Sequence, residues 1–170
     1  MPKIIKNIRE QLLAEAKKQI AQRGYSDTTI RSVASACGVG VGTVYNYFPS
    51  KEMLVATFVY EDWKNYLSNI EKLPADEPYT LLQGIYLSLQ NFAEENKTLF
   101  SDADAAKLVS VSSVDHHKML RDQIASFVLP LCGDSSAQFT AQFTAEALIR
   151  WSTENVDFET VYPLLAKIIQ

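Results

Sequence analysis

Gly38, Gly40 and Gly42 stand at alternate positions in the stretch CGVGVGTVYNYF, Cys37 to Phe48, and make up half of the chain's six glycines. Two kinds of chemistry use such a run. The backbone N–H groups of a glycine-rich loop can cradle a nucleotide phosphate, or one glycine can close a tight turn that aims a short helix. The phosphate fingerprint needs a strand before the glycines and a helix after them. Here the preceding TTIRSVASA has helical spacing, and no Gly-Lys-Ser/Thr follows. The second use fits better: two short helices meet over a brief turn, with Gly38 at a position where φ > 0 costs it little.

The residues after the turn carry the candidate chemistry. Val44 and Phe48 lie four apart and share the face that packs inward. The other faces carry Val41, Gly42, Thr43, Tyr45, Asn46 and Tyr47. Tyrosine hydroxyls can donate to phosphate oxygens while the rings pack on the sugar backbone. Thr43 and Asn46 can reach base edges, and Val41 can pack only on a thymine methyl. Gly42 lets the helix backbone approach a groove closely. The competing reading makes Tyr45 and Tyr47 the cover of a core edge, because half-buried tyrosine is common.

The elements that must position these residues read as all-α, with no run of strict alternation. Ile5, Ile8, Leu12, Ala16 and Ile20 form one apolar stripe, and Gly24 ends that helix. Asp27 and Thr28 are N-cap candidates for a second helix with Ile30, Val33, Ala34 and Cys37 inward. Val39 plugs the core beneath the turn. Ser50 caps a fourth helix running from Lys51 to about Leu73, followed by the linker LPADEP. Further helices are expected over 79–95, 99–109, 115–131, 136–153 and 158–169, with SVSSVD and CGDSS as breaks.

Composition narrows the function classes. The chain has 170 residues, 47% hydrophobic and 21% charged, and no apolar run long enough for a membrane span. Its N-terminus lacks a secretory h-region, and two cysteines, Cys37 and Cys132, suggest buried thiols in a reducing compartment. Net charge is −4, unevenly spread: residues 1–52 hold eight Lys/Arg against four Asp/Glu, and the remainder eight against sixteen. A basic head on an acidic body suits a nucleic-acid-binding module joined to another domain. His116 and His117 are adjacent, so they point about 100° apart and share no metal easily. Nucleophile elbows, Cys–His pairing and HExxH are missing, so no enzyme, metal or cofactor is expected.

Gly24-Tyr25, Thr28-Thr29, Val33-Ala34, Cys37-Gly38-Val39 and GTVYNYFPSKEML together resemble the DNA-binding domain of the TetR (tetracycline-repressor) family. The resemblance covers the first third of the chain. It implies a helix-turn-helix DNA-binding domain over 1–50 and a helical regulatory and dimerisation domain over 51–170. It also implies a cytoplasmic bacterial transcriptional regulator, usually a repressor, that binds a near-palindromic double-stranded operator as a homodimer. By position, Thr28 and Thr29 start the helix that touches the DNA backbone, Thr43, Tyr45 and Tyr47 contact phosphates or base edges, and Lys51 meets a phosphate. Two positions depart from the family pattern: many members have Ser where Gly40 stands, and a polar or basic residue where Val41 stands.

The resemblance further implies a cavity for a small apolar or aromatic effector among the second domain's helices. Its candidate lining is Phe58, Trp63, Tyr66, Tyr86, Phe92, Met119 and Phe127, which compete with an ordinary aromatic core. Ala137, Ala141 and Ala145 repeat every four residues, and with Leu148, Leu164 and Ile168 they are candidates for a dimer seam rather than intramolecular packing. The alternative function is a helix-turn-helix regulator without a small-molecule effector, controlled by a partner protein or by abundance.

Overall fold

A computed structural model of the chain describes residues 7–133 and 136–169, and for 106–116 the backbone alone. Among the described residues the fold is all-α, as the periodicity predicts. The elements are α1 (Ile8–Asp27), α2 (Ile30–Ala36), α3 (Val41–Tyr47), α4 (Lys51–Ile70), α5 (Pro78–Glu95), α6 (Lys97–Phe100), α7 (Ala103–Val128), a 3-10 turn η1 (Leu129–Leu131), α8 (Ala137–Thr153) and α9 (Phe158–Ile169). No helix among these residues is long and apolar enough to cross a membrane. The chain divides into two compact units, Met1–Trp63 with Asn96–Val111, and Lys64–Glu95 with Ser112–Gln170.

The first unit is built around the α1 stripe. Ile8, Leu12, Ala16 and Ile20 are buried, as their spacing requires, and Ile5 lies outside the described residues. They meet Ile30, Val33 and Ala34 of α2, Val44 of α3, Phe48, and Leu54, Val55 and Phe58 of α4. Leu99 and Ala105 complete this core, so a segment far along the chain is part of the head. Ion pairs reinforce it: Arg9 and Lys17 of α1 each sit 2.6 Å from a carboxylate of α4, Glu61 and Asp62 respectively.

In the second unit α5, α8 and α9 pack against one another. Leu81, Leu82, Ile85, Tyr86 and Leu89 of α5 are buried, with Ile124, Ala125 and Val128 of α7 and Val161 and Leu165 of α9. Ala141, Ala145 and Leu148 have no exposed surface within the single chain. Within the chain these small residues let α8 approach its own neighbours, the intramolecular packing that competes with a dimer seam. Leu164 and Ile168 remain exposed, and Ala137 is half-buried.

Three helix boundaries differ from the sequence expectation, and the first is the helix expected over 99–109, which is interrupted at Ser101 and Asp102 between α6 and α7. The polar stretch 110–115 does not break a helix; α7 runs unbroken through it. Serine costs a helix interior less than about 0.7 kcal/mol relative to alanine, and the stretch contains neither Gly nor Pro. The N-cap of α2 is Thr29, not Asp27 or Thr28. Thr29 Oγ1 accepts the Ser32 N–H at 3.0 Å, and Ser32 Oγ accepts the Thr29 N–H at 3.1 Å, a reciprocal capping box.

Gly38 closes α2. Its φ is +67°, its N–H donates to Ser35 O at 3.1 Å, and the Val39 N–H donates to Ala34 O at 3.0 Å. That pair of bonds is a Schellman motif, which satisfies carbonyls the helix end would leave bare. An added Cβ at Gly38 meets nothing within 4 Å, so strain there is purely conformational. Gly38→Ala is therefore expected to cost about 1–2 kcal/mol. Gly40 caps α3 at φ −72° with equally open space, and Gly40→Ser should instead stabilise by a few tenths of a kcal/mol, roughly the Ser–Gly difference at an N-cap. Urea denaturation of the two variants checks the opposite signs.

Candidate nucleic-acid interface

The turn Cys37–Gly40 joins α2 to α3 and forms the helix-turn-helix expected from the glycines. Val44 (0% exposed) and Phe48 (3%) fasten α3 to the core of the first unit. With that face fixed, helical geometry sends Tyr45, Asn46 and Tyr47 outward. Tyr45 is 51% exposed and Tyr47 46%, and Asn46 and Gly42 are exposed too. Val41 and Thr43 are half-buried, and Val41 packs against the core cluster. The Tyr47 ring leans on Phe48 at a centroid distance of 6.4 Å, so its hydroxyl projects from a braced ring. Among the described residues, this helix presents two phenols and an amide side by side on an exposed face.

The flanking positions hold a different arrangement from the one their types suggest. Thr28 is 2% exposed, and its hydroxyl donates to Gly24 O at 2.8 Å. Its side chain closes the α1–α2 turn and is not offered at the surface. Thr29 is exposed, but its hydroxyl serves the α2 cap. Lys51 starts α4, where Ser50 Oγ accepts the Met53 N–H at 3.2 Å as the expected cap. Its Nζ donates to the Tyr25 carbonyl at 2.6 Å and lies 3.7 Å from the centroid of the Tyr25 ring. Burial lowers the Lys51 pKa, against the pull of Glu52, Asp102, Asp104 and Asp27. The Tyr25 hydroxyl donates to Glu52 Oε1 at 3.1 Å, and burial first, then Glu52, raises the phenol's pKa. Hydrogen bonds from Ser50 and from its own backbone lower the pKa of Glu52.

Much of the basic charge of the head is thus internally engaged. Arg9 and Lys17 face α4 carboxylates, and Arg23 donates to Gln19 and, at 2.7 Å, to Ser32 Oγ. Arg31 is exposed on α2, a position sequence reading did not single out; its place on the first turn of the helix before the turn was the available signal.

The expected pocket residues do not gather in one unit. Phe58 and Trp63 are buried in the first, at 4% and 5% exposure. Tyr86 is buried in the second and donates to Val156 O at 2.5 Å. Tyr66 packs edge-on against Phe92 at 5.9 Å and donates to Glu95 at 2.8 Å. Phe127 is half-buried. Met119 is exposed beside an open depression of about 540 Å³ on α7, lined by Lys118, Asp122, Gln123 and Ser126. Phe58, Trp63 and Tyr86 are thus buried side chains, Phe58 within the core cluster of the first unit. His117 Nε2 lies 3.0–3.1 Å from both carboxylate oxygens of Glu146, and the His116 side chain lies outside the described residues. Among the described residues there is no group of three or more His, Cys, Asp or Glu placed to hold a metal ion.

The fold and this face define a helix-turn-helix protein. Residues 12–57 match the family model described as bacterial regulatory proteins, tetR family. An uncharacterized HTH-type transcriptional regulator of Bacillus subtilis, YuxN, is 37% identical over 76 residues, covering 42% of this chain and 26% of the relative. The HTH-type transcriptional repressor KstR of Mycolicibacterium smegmatis is 29% identical over 128 residues, covering 68% of this chain and 60% of the relative. The chain therefore spans less than two thirds of the length of these curated relatives. A TetR-family transcriptional regulator from Pectobacterium atrosepticum superposes with a TM-score of 0.63 at 18% identity, over 95% of this chain and 88% of that one. At that identity the likeness speaks for the fold. The matched proteins named here are regulators, not enzymes.

Proposed function

We propose that the chain is a DNA-binding transcriptional regulator that inserts α3 into the major groove of a near-palindromic operator. The observation that carries this reading is the pairing of a buried Val44 and Phe48 with an exposed Tyr45, Asn46 and Tyr47 on one short helix after a glycine turn. Tyr45 and Tyr47 hydroxyls donate to phosphates, and Asn46, with Thr43 beside it, faces base edges. Val41 and Gly42 form the close-approach end of the helix, Thr29 starts α2 near the backbone, and Lys51 contributes positive charge. KstR is a repressor by name, and repression is the sign proposed here. The site of action is the cytoplasm.

The working form is a homodimer, because two half-sites one helical turn apart need two heads. Its interface uses the outer faces of α8 and α9, where Phe139 (73% exposed), Phe143 (49%), Leu164 (50%) and Ile168 (40%) stand out. Footprinting on a genomic fragment retained by the protein tests both points. Two protected half-sites centred about 34–36 Å apart are expected; a single protected stretch would contradict the dimer.

A small apolar or aromatic effector would act by favouring a dimer whose recognition helices are wrongly spaced, through the continuous α4 that starts at Lys51. In the second reading a partner protein or abundance sets activity. A ligand that raises the melting temperature and releases DNA supports the effector; a screen in which no compound does both supports the second reading.

A further inference from the structure

The turn between α1 and α2 is gripped from outside the helix-turn-helix. Gly24, at φ +86° and ψ 167°, kinks α1 near its C-terminal end, and the few residues after it must reach the N-cap of α2 at Thr29. Lys51 holds one side of this crossing through the Tyr25 carbonyl. Asp102, at the α6–α7 corner, holds the other. Its Oδ2 accepts the Ser26 N–H at 3.1 Å, and the Ser26 hydroxyl lies 3.3 Å from both carboxylate oxygens and 3.1 Å from Asp104 Oδ2.

The same carboxylate caps α7. Oδ1 accepts the Asp104 N–H at 2.9 Å and the Ala105 N–H at 3.2 Å. The corner itself is anchored, since Leu99 and Ala105 are buried in the core of the first unit. Backbone N–H bonds, that of Ser26 foremost, hold the Asp102 carboxyl below its usual pKa, so it stays charged at neutral pH. The α7 it caps is unbroken to Val128, in the second unit.

We propose that Asp102 is a positioning residue for DNA binding: it fixes the α1–α2 turn, and with it the direction in which α2 and α3 are presented. The proposal rests on reading the first unit as a DNA-binding head. Its two tasks are separable. Asn caps helices as well as Asp does, so Asp102→Asn keeps the α7 cap through Oδ1. It places an NH₂ against the Ser26 N–H, where donor faces donor. Ser26→Ala is the control, because it removes the hydroxyl and keeps the N–H bond.

Amide hydrogen exchange at residue 26 and affinity for the genomic fragment that the wild type retains are read together. Asp102→Asn is expected to speed exchange at Ser26 by at least about tenfold and to weaken DNA binding about fivefold. Ser26→Ala should hold exchange at residue 26 near the wild-type rate and affinity within about twofold, since it leaves the N–H bond in place and the hydroxyl contacts it removes are exposed and long, at 3.1–3.3 Å. Unchanged exchange in Asp102→Asn would overturn the grip. Faster exchange with unchanged affinity would overturn the positioning role. A wild type that retains no fragment would overturn the head reading itself, and the two failures are distinguishable because the exchange measurement uses no DNA.

Discussion

Replacing Tyr45 and Tyr47 together by alanine is expected to weaken binding to double-stranded DNA by about 10- to 100-fold, from two lost hydroxyl bonds of roughly 0.5–1.5 kcal/mol each. Both rings are about half exposed, so the melting temperature should stay close to that of the wild type. The slope of log affinity against log salt should also hold, because that slope counts cationic contacts to phosphate and the phenols are neutral. Phenylalanine at either position keeps the ring and removes one donor, and should cost only a few-fold. Electrophoretic mobility shifts over a salt series check all three statements. Unaltered affinity in the double variant would mean that the tyrosines do no more than cover the edge of the core.

Phe48→Ala is expected to destabilise the head by about 3–5 kcal/mol. Phe48 is 3% exposed, its N–H closes α3 on Val44 O at 2.9 Å, and the Arg9 guanidinium carbon lies 5.8 Å from its ring centroid. A seven-residue helix cannot hold itself in water; it persists because Val44 and Phe48 dock it. A whole domain is stable by about 5–15 kcal/mol, so this loss is large enough to release α3 and abolish DNA binding. Phe48→Leu retains most of the apolar volume and should recover most of both properties. Urea titration and mobility shifts on the pair would check this, and a Phe48→Ala protein as stable as the wild type would refute the docking role.

What was legible in the sequence was local. The i, i+3, i+4 spacing of α1 and α2, the glycine at a left-handed position and the Val44–Phe48 pair each act over one or two turns, and each is where its residue types put it. What was hidden depends on partners far along the chain. Lys17 and Arg9 look like a free basic face until Glu61 and Asp62 come beside them. Nothing local in the sequence ties Asp102 to Ser26, 76 residues away, whose N–H it accepts. The alanine repeat of α8 marks a close helix approach, but periodicity does not say whether the partner helix is in the same chain; here Ala141 and Ala145 are buried within it. The stretch 110–115 shows the converse, cap-forming residue types overruled in a long helix.

The central claim is that α3 reads double-stranded DNA. It is tested most directly by comparing wild-type affinity for the retained genomic fragment with affinity for a scrambled duplex of the same length and composition, across a salt series. Binding to the selected fragment should be at least about a thousandfold tighter at physiological salt. For both duplexes, log affinity should fall linearly with log salt. Equal affinity for the two duplexes at every salt concentration would contradict that claim.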